Sequence, residues 1–285
     1  MTIPEFDNLL QSCNLMPLIT DKLGKLPIDF SEKMSLIRKS EATNEPLSAA
    51  GVLLLLRIGG QSSPNNHEPT FILTKRSFKV SQPGDLSCPG GILNKRIDPI
   101  LKTLLLCRLN PIIAGKARNY LQERDDETVK TIALLFGTAI RETWEETNLS
   151  PLKISFLGPL PTYAAFRFQR TIFPIVGFVK KEWQFHPNNE VERMFEIPLK
   201  TFFHEDNYRL LRLKTPAEFK IEVSHPSEFT CLIYRDNQDH EDILWGATFN
   251  IIMNFMRVVF DLKIPEPDSK RIVYKSLYQN YMQHR

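Results

Sequence analysis

The sequence predicts a protein that mixes strands and helices, of the α/β or α+β class. Two apolar runs of strand length, AAGVLLLLRI at 49–58 and FILTKRS at 71–77, come before a long helical pattern that ends at Thr147. Further strand-like runs follow at 154–161 and 171–181, and a second apolar helical pattern occupies 243–260. Continuous apolar runs of strand length indicate buried strands, whereas apolar residues at three- and four-residue spacing indicate helices. The mixture of these two patterns predicts the mixed fold.

The patterns also divide the chain into segments. Residues 1–45 are polar with scattered apolar positions, which predicts an N-terminal helical arm or lead-in. We expect residues 46–262 to form the main domain and residues 263–285 to form a C-terminal tail. Within the main domain, the pattern of residues 92–124 predicts two further helices, one at Ile100–Leu109 and another that starts after Gly115.

The helix that ends at Thr147 has recognisable signals at both ends. Asp125 or Asp126 is a suitable N-cap, because its carboxylate can accept a hydrogen bond from a free backbone N–H group of the first turn. Asn148 suits the position after the last turn, where a left-handed backbone is common. We expect the helix to pack against the sheet through four apolar side chains, those of Ile132, Leu134, Leu135 and Ile140.

Composition and charge exclude several classes of protein. The chain of 285 residues is 42% hydrophobic and 24% charged, as in an ordinary globular protein, and its formal charge of +3 is too small to indicate a nucleic-acid partner. The four cysteines include no pair with CxxC spacing, which argues against a zinc site or a disulfide framework and for a reducing compartment. The sequence leaves a monomer and a homodimer equally open.

No segment has the features of a membrane span or a targeting signal. The apolar run at 131–140 is far shorter than the ~20 residues that a span needs. The N-terminus carries Glu5 and Asp7 without a basic start, and the C-terminal YMQHR is not a peroxisomal address. We therefore expect no membrane partner and a cytoplasmic location, with an organelle left open.

The stretch RETWEETNL at 141–149 places three glutamates at the end of a helix. Glu142, Glu145 and Glu146 share one face, so their charges repel one another, and the negative end of the helix dipole adds to the repulsion. Arg141 can pair with Glu145, but one guanidinium does not neutralise three carboxylates, whereas a hard divalent cation such as Mg²⁺ does. A solvated acidic helix end is the alternative. The apolar helix and the Pro-Gly-Gly turn at 89–91 favour the metal site.

Together, the Pro-Gly-Gly turn and RETWEETNL resemble the Nudix box. That box has a glycine and a spaced acidic residue, then Arg-Glu, an apolar residue, any residue and Glu-Glu. In Nudix hydrolases it forms a loop–helix–loop that binds Mg²⁺ or Mn²⁺ and cleaves a diphosphate linked to a nucleoside. The resemblance implies the Nudix fold, a mixed β-sheet sandwiched between helices, here with an inserted helical segment before the catalytic helix.

The segment FILTKRSFKVSQPGDLSCPGG at 71–91 is similar to a further signature of the coenzyme A diphosphatase branch of that family. Later segments match the same branch in the expected order, namely LGPLPTY at 157–163, FPIVGFV at 173–179, NNEVERMFEIPLKTFF at 188–203 and ILWGAT at 243–248. The resemblance implies hydrolysis of coenzyme A or acyl-CoA to 3′,5′-ADP and (acyl-)4′-phosphopantetheine.

The box is interrupted and incomplete in this chain. Gly91 and Arg141 lie 50 positions apart in this chain, whereas the glycine and the arginine of the box lie about 14 apart. The resemblance therefore implies an insert of roughly 35 residues, at about 92–124. Loops of this length are often functional, for instance as lids. The early acidic residue of the box would fall near Ala133 and is therefore missing, because the acidic residues at 125–127 lie too early to replace it.

The resemblance also implies roles for the site residues. The three glutamates of the box would hold Mg²⁺ or Mn²⁺ together with a backbone carbonyl of Gly90 or Gly91. Arg141 would orient the glutamates through charge-assisted hydrogen bonds. Glu190, in a loop outside the box, is the candidate for a further ligand or a general base, with a solvated loop residue as the alternative.

The substrate end of the site needs cations, because coenzyme A carries a diphosphate and a 3′-phosphate. Arg76 matches the branch signature, and Lys75, Arg167 and Arg170 are possible helpers. A structural ion pair is the alternative for Arg76, and plain surface charge is the alternative for Arg167 and Arg170.

Three kinds of function remain open at this point. The first is a coenzyme A diphosphatase, the second a Nudix diphosphatase for another nucleoside diphosphate derivative, and the third a non-catalytic nucleotide-binding protein. Metal-dependent turnover separates the third from the others, and the identity of the products separates the first from the second.

Overall fold

A computed structural model describes residues 2–11, 14–59, 68–165, 168–214, 228–235, 240–267, 270–277 and 281. These residues form helices and strands in a mixed α+β arrangement, which confirms the predicted fold class. The chain divides into two compact units. The box unit, which contains the Pro-Gly-Gly turn and RETWEETNL, comprises Asp7–Arg57 and Cys88–Asn188, and the flanking unit comprises Met1–Phe6, Ile58–Ser87 and Asn189–Arg285.

The helices and strands follow one another along the whole chain. The helices are α1 (Ile3–Gln11), α2 (Leu15–Gly24), α3 (Phe30–Ser40), α4 (Asp98–Leu106), α5 (Gly115–Gln122), α6 (Asp126–Thr147) and α7 (Gly246–Phe260). The strands are β1 (Ser48–Ile58), β2 (Pro69–Arg76), β3 (Leu86–Ser87), β4 (Gly90–Ile92), β5 (Ile154–Pro159), β6 (Tyr163–Ala165), β7 (Arg170–Val179), β8 (Val191–Pro198), β9 (Tyr208–Lys214), β10 (Glu228–Arg235), β11 (Glu241–Leu244) and β12 (Ile272–Ser276). Among the described helices, none has the length and apolar character needed to cross a bilayer.

The sheet of the box unit is built around β1 and β7, which run parallel to each other. Both strands are buried along most of their length, as expected for continuous apolar runs. β5 and β6 pair antiparallel with β7. The short β4 pairs antiparallel with β1 and sets Gly91 opposite Gly51. The Pro-Gly-Gly turn is therefore fixed against a strand of the sheet.

Helix α6 begins and ends where the sequence predicts. The backbone N–H of Thr128 donates to Oδ1 of Asp125 over 2.9 Å, which confirms the N-cap. Asn148 has a left-handed backbone with φ of 58°, which confirms the C-terminal signal. Of the predicted packing residues, Ile132, Leu135 and Ile140 are buried, whereas Leu134 is only half-buried.

The close packing of α6 on β1 depends on a glycine. A Cβ atom added at Gly51 would overlap the backbone carbonyl of Leu135, so no larger residue fits there without a shift of the helix. This close approach brings the end of α6 to the sheet beside the Pro-Gly-Gly turn.

The insert forms α4 and α5, as predicted, although α4 starts at Asp98 and ends at Leu106. Helix α4 packs along α6, and α5 contacts α2 and β5. At Gly137 of α6 an added Cβ would lie 3.1 Å from Cβ of Leu101. The predicted N-terminal arm is helical, and its α2 and α3 pack on β5 and α6 respectively.

In the flanking unit, β2 pairs antiparallel with β8 and with β3, and a separate sheet has the order β11-β10-β9-β12. Helix α7 begins at Gly246, later than the predicted start at 243. The reason is that Ile243 and Leu244 pair with β10 instead of entering the helix. Phe71 of β2 meets Phe202 and Phe255 edge-on, with ring centroids 5.5 and 5.3 Å apart, in the core of this unit.

Candidate active site

A cluster of charged side chains in the box unit joins the end of α6 to the start of α4. Nε of Arg141 donates to Oδ1 of Asp98 over 2.8 Å. Nη1 of the same side chain lies 2.9 Å from Oε1 of Glu142 and 3.3 Å from both carboxylate oxygens of Glu145. One guanidinium is therefore shared by three carboxylates, two from its own helix and one from the insert.

Asp98 is the member of this cluster that the sequence analysis missed. Its side chain is completely buried and also accepts hydrogen bonds from Oγ1 of Thr138 at 2.6 Å and from the backbone N–H of Asn94 at 2.8 Å. The acidic residue of the box would lie eight positions before Arg141, at Ala133, which is a core residue. Counting six positions forward from Gly91, before the insert, reaches Ile97, so Asp98 lies one position away from the spacing of the box.

The three glutamates of the box differ in exposure. The side chain of Glu145 is 52% exposed and that of Glu142 is 22% exposed, whereas Glu146 is buried. Burial raises the pKa of Glu142, and the positive charge of Arg141 offsets this only in part. The cluster therefore holds a carboxylate that lacks full compensation when ionised.

The Pro-Gly-Gly turn lies against these carboxylates. The backbone N–H of Gly90 points to Oε2 of Glu146 over 3.4 Å. A Cβ atom at Gly91 would lie 2.6 Å from Oε2 of Glu142, and one at Gly90, where φ is 148°, would lie 2.6 Å from Cα of Val52. Glycine is thus required at Gly90, because the backbone has a positive φ and lies against a strand, whereas a side chain at Gly91 would push the carboxylate of Glu142 aside.

The environment of Arg141 keeps it charged. Burial alone would lower the pKa of the guanidinium, but the hydrogen bond to Asp98 and the negative charge of Glu142 outweigh burial and raise the pKa. Nη2 of Arg141 also donates to the backbone carbonyl of Ile92 over 3.3 Å, which links it to β4. Arg141 therefore contributes a permanent positive charge to the cluster.

The ligand types in the cluster suit a hard divalent cation, which prefers carboxylate and backbone carbonyl oxygens. Across the described ranges, however, no three His, Cys, Asp or Glu side chains are arranged to hold a metal ion as they stand. The contacts of Arg141 with Glu142 and Glu145 give the physical reason, because these carboxylates turn to the guanidinium.

The predicted substrate cations Lys75 and Arg76 lie in the flanking unit. Nζ of Lys75 is 2.8 Å from Oδ1 of Asp242, whose other oxygen is 2.7 Å from Nη2 of Arg193. Nε of Arg76 donates to the backbone carbonyl of Ser81 over 2.8 Å. Lys75 thus has a structural ion pair, and Arg76 braces the loop that follows its own strand.

The remaining predicted residues are placed as follows. Glu190 is half-buried in the flanking unit, in the turn before β8, and its backbone carbonyl accepts from Ser77 over 2.8 Å. Arg170 is the first residue of β7 in the box unit and lies opposite Ser48 of β1. Arg167 lies outside the described residues. The structure brings together Arg141 and the three glutamates with Gly91.

A second buried acid, Asp85, organises the signature segment in the flanking unit. It accepts hydrogen bonds from Nε1 of Trp245 at 3.1 Å and from the hydroxyl of Tyr281, and Nζ of Lys275 lies 2.8 Å from it. The ring of Trp245 stacks on Tyr281 with centroids 6.3 Å apart. The sequence analysis missed this residue because its partners are 160 and 196 positions away.

No family model matches the chain, but individual known proteins do. It is 25% identical over 238 residues to the protein named Nudix hydrolase 15, mitochondrial, of Arabidopsis thaliana, and this alignment covers 82% of the chain and 66% of the relative. It is 38% identical over 81 residues to the uncharacterized Nudix hydrolase NudL of Pectobacterium atrosepticum, with 28% and 41% covered. The chain thus spans just under two thirds of the first relative and less than half of the second.

Among solved structures, the chain is similar to a MutT/nudix family protein from Enterococcus faecalis. The TM-score is 0.41 and the sequence identity 14%, over 92% of this chain and 75% of that one. Both curated relatives described above carry the name Nudix hydrolase.

Proposed function

We propose that this chain, whose named relatives are Nudix hydrolases, is a metal-dependent diphosphatase that cleaves coenzyme A or an acyl-CoA. The products would be 3′,5′-ADP and 4′-phosphopantetheine or its acyl form. The observation that carries the proposal is the contact between the glutamate cluster of α6 and the Pro-Gly-Gly turn, with Gly91 against Glu142 and Gly90 against Glu146.

Mg²⁺ or Mn²⁺ would be held by Glu142, Glu145 and Glu146 together with the backbone carbonyl of Gly91. The environment of Glu142 supports this assignment, because its pKa is raised by burial and a bound divalent cation would keep it ionised. The missing Cβ of Gly91 supports it as well, since it leaves space directly beside that carboxylate. When bound, the ion would polarise a phosphoryl oxygen and lower the pKa of a bound water.

Asp98 would keep Arg141 in place while the glutamates face the substrate. Nε and Nη2 of Arg141 lie 2.8 and 3.3 Å from the two carboxylate oxygens of Asp98. This two-point contact leaves Nη1 of Arg141 to the carboxylates of Glu142 and Glu145, which lie 2.9 and 3.3 Å away. Arg141 would then limit the rotation of the glutamates, and we regard both Arg141 and Asp98 as positioning residues.

Glu190 would serve as a general base or a further ligand. It is acidic, only half-buried, and lies in a segment similar to the coenzyme A branch. Arg76, Arg170 and Lys75 would neutralise phosphate groups of the substrate. Lys75 is the weakest of these three candidates, because Asp242 already pairs with it.

The choice of coenzyme A rests on sequence segments that match one branch of the family in order, from residue 71 to residue 248. The first of these segments is anchored by Asp85 through three partners, so it has a fixed conformation on which specificity can depend. A Nudix diphosphatase for another nucleoside diphosphate derivative would share the glutamate cluster and differ in these sequence segments.

The test is an incubation of the purified protein with coenzyme A, acetyl-CoA, NADH and a dinucleoside polyphosphate. Each is offered with Mg²⁺, with Mn²⁺ and with EDTA, and products are identified by mass spectrometry. We expect 4′-phosphopantetheine and 3′,5′-ADP from coenzyme A in the reactions that contain Mg²⁺ or Mn²⁺, and not in those that contain EDTA. Cleavage of NADH or the dinucleotide alone would assign a different substrate. Binding without cleavage of any compound would indicate a non-catalytic nucleotide-binding protein.

A further inference from the structure

Helix α4 of the insert has apolar side chains on its buried face and on part of its exposed surface. One face packs on α6 and includes Leu101 and Leu105. The exposed side beside it carries Ile100 and Leu104, which are 62 and 59% exposed, and Ile97, which is 46% exposed, lies directly before the helix. A surface helix of a globular protein normally turns polar side chains outward. The exposed apolar side chains of α4 therefore indicate an interaction surface.

Exposed apolar side chains continue on both sides of this face. Within the described ranges, six of the fourteen exposed large apolar residues fall between positions 92 and 109. Such a concentration marks an interaction site, whereas single exposed apolar residues do not. We call this set the insert ridge, and its members are Ile92, Ile97, Ile100, Leu104, Leu106 and Leu109.

The charges of the same segment have one sign at the surface. Residues 92–109 contain four basic side chains, and their one acidic side chain, Asp98, is completely buried against Arg141. Lys95 pairs with Glu41 at 2.7 Å, but both are solvent-exposed, and such pairs are weak. The segment thus presents apolar and basic side chains together, the latter being Lys95, Arg96, Lys102 and Arg108.

We propose that the insert ridge docks on the surface of an anionic phospholipid membrane. Helix α4 would lie in the plane of the interface, with Ile100 and Leu104 in the boundary between headgroups and acyl chains. The basic side chains would lie next to the lipid phosphates. The proposal is independent of the hydrolase function, and it departs from the expectation, drawn from the sequence, that the protein has no membrane partner.

Shape and charge favour this occupant over two others. A single acyl chain fits a concave pocket, whereas the outward face of one helix is convex. A second copy of the chain, bound by two-fold symmetry through the same patch, would bring like charges of the segment close to each other. An anionic membrane accommodates both the convex apolar face and the positive charge.

The test is co-sedimentation of the full chain with vesicles of phosphatidylcholine, with and without phosphatidylserine. We expect binding to the mixed vesicles that weakens as salt is added. The double variant Ile100→Ser with Leu104→Ser should bind about tenfold less or weaker still, because two partly inserted side chains lose their apolar contact. The matched control is Leu152→Ser, since Leu152 is 65% exposed in the same unit but lies outside the ridge.

Several outcomes would overturn the proposal. It is wrong if the wild-type chain does not sediment with the mixed vesicles, or if the double variant sediments as well as the wild type. It is also wrong if light scattering finds a wild-type dimer that the double variant breaks, because the ridge would then bind a second copy. Circular dichroism should be unchanged in the double variant, and hydrolysis in solution should be unchanged as well, so failure here does not affect the proposed chemistry.

Discussion

Nε of Arg141 donates a hydrogen bond to Oδ1 of Asp98 over 2.8 Å, although 43 positions separate the two residues in the chain. The bond links the first helix of the insert to the helix that carries the three glutamates. The insert is therefore fastened to the candidate site by a buried charged pair. This explains how the motif keeps its geometry although its glycine and its arginine are far apart in sequence.

We expect Asp98→Asn to reduce both activity and stability. The amide keeps the shape of the carboxylate but loses the charge, and its NH₂ group meets donors from Arg141, Thr138 or Asn94. A buried donor without an acceptor costs roughly 1–3 kcal/mol of unfolding free energy. Because Asp98 acts through Arg141, we expect kcat to fall about 10- to 100-fold with KM little changed. Steady-state kinetics and thermal unfolding measure the two effects.

The control for this change is Asp126→Asn, at an exposed position in the first turn of α6 that pairs with Lys130. It should leave kcat unchanged. Asp98→Glu should restore part of the lost kcat, since it returns the charge to Arg141. An unaltered kcat in Asp98→Asn would show that Asp98 has no positioning role in the reaction.

We expect Glu145→Gln to abolish turnover by orders of magnitude and to leave the fold intact. The side chain is half exposed, so the substitution buries no new polar group, but it removes a proposed metal ligand. Glu127→Gln on the same helix is the matched control, because that residue is also exposed and pairs with Arg38 at 3.0 Å. Equal activity of Glu145→Gln and the parent would show that Glu145 does not hold the metal.

Gly91→Ala should lower kcat about a hundredfold, because the new methyl group would displace the carboxylate of Glu142, and small misplacements of catalytic groups are costly. Gly115→Ala is the control. Its φ of 56° strains an alanine by about 1–2 kcal/mol, but no atom lies within 4 Å of the added Cβ. The control should lose stability without losing activity per folded molecule. If both variants kept full activity, the close contact of Gly91 with Glu142 would have no catalytic meaning.

We expect Glu142 to lower the stability of the metal-free protein and to contribute to metal binding. Its pKa is raised in the folded state by burial, so the folded state favours the protonated carboxyl group. Stability from this source is present at low pH and is lost as the pH rises through the folded-state pKa. In EDTA at neutral pH, Glu142→Gln should therefore unfold at a higher temperature than the parent, and the difference should shrink in acid. Added Mn²⁺ should raise the unfolding temperature of the parent but not that of the variant, and calorimetry measures both temperatures. If the assignment is wrong, Glu142→Gln will unfold at a lower temperature than the parent in EDTA.

The described cysteines should react with thiol reagents at very different rates. Burial raises the pKa values of Cys88 and Cys231 to about 12, whereas Cys107 at the end of α4 is exposed. Only the thiolate reacts, so iodoacetamide at mild alkaline pH should label Cys107 first and the other two after unfolding. Peptide mapping by mass spectrometry follows each site. Early labelling of Cys88 would mean that the Pro-Gly-Gly turn opens readily.

The features that local chemistry decides were predictable from the sequence. The cap at Asp125, the left-handed Asn148 and the shared face of the three glutamates each depend on residues within two turns of one another. The partners of Asp98 were not predictable in this way, because the hydrogen bond to Arg141 exists only after α4 packs on α6. The same holds for Asp85, whose partners Trp245 and Tyr281 come from the far end of the chain.

Element boundaries failed where two structures compete for the same apolar residues. Ile243 and Leu244 fit the helical pattern of α7, but the edge of β10 offers them backbone partners, and the strand is formed instead. Leu134 fits the apolar stripe of α6, yet it faces only partly into the core. In both cases tertiary contacts override a pattern that spacing alone supports.

The most direct test of the central claim compares coenzyme A cleavage by the parent protein and by Glu145→Gln, each with Mg²⁺ and with EDTA. The account predicts that 4′-phosphopantetheine and 3′,5′-ADP appear with the parent and Mg²⁺, and that the other three reactions stay at the background level. Cleavage by the parent in EDTA, or by Glu145→Gln at the parent's rate, would contradict a metal-dependent reaction at the glutamate cluster.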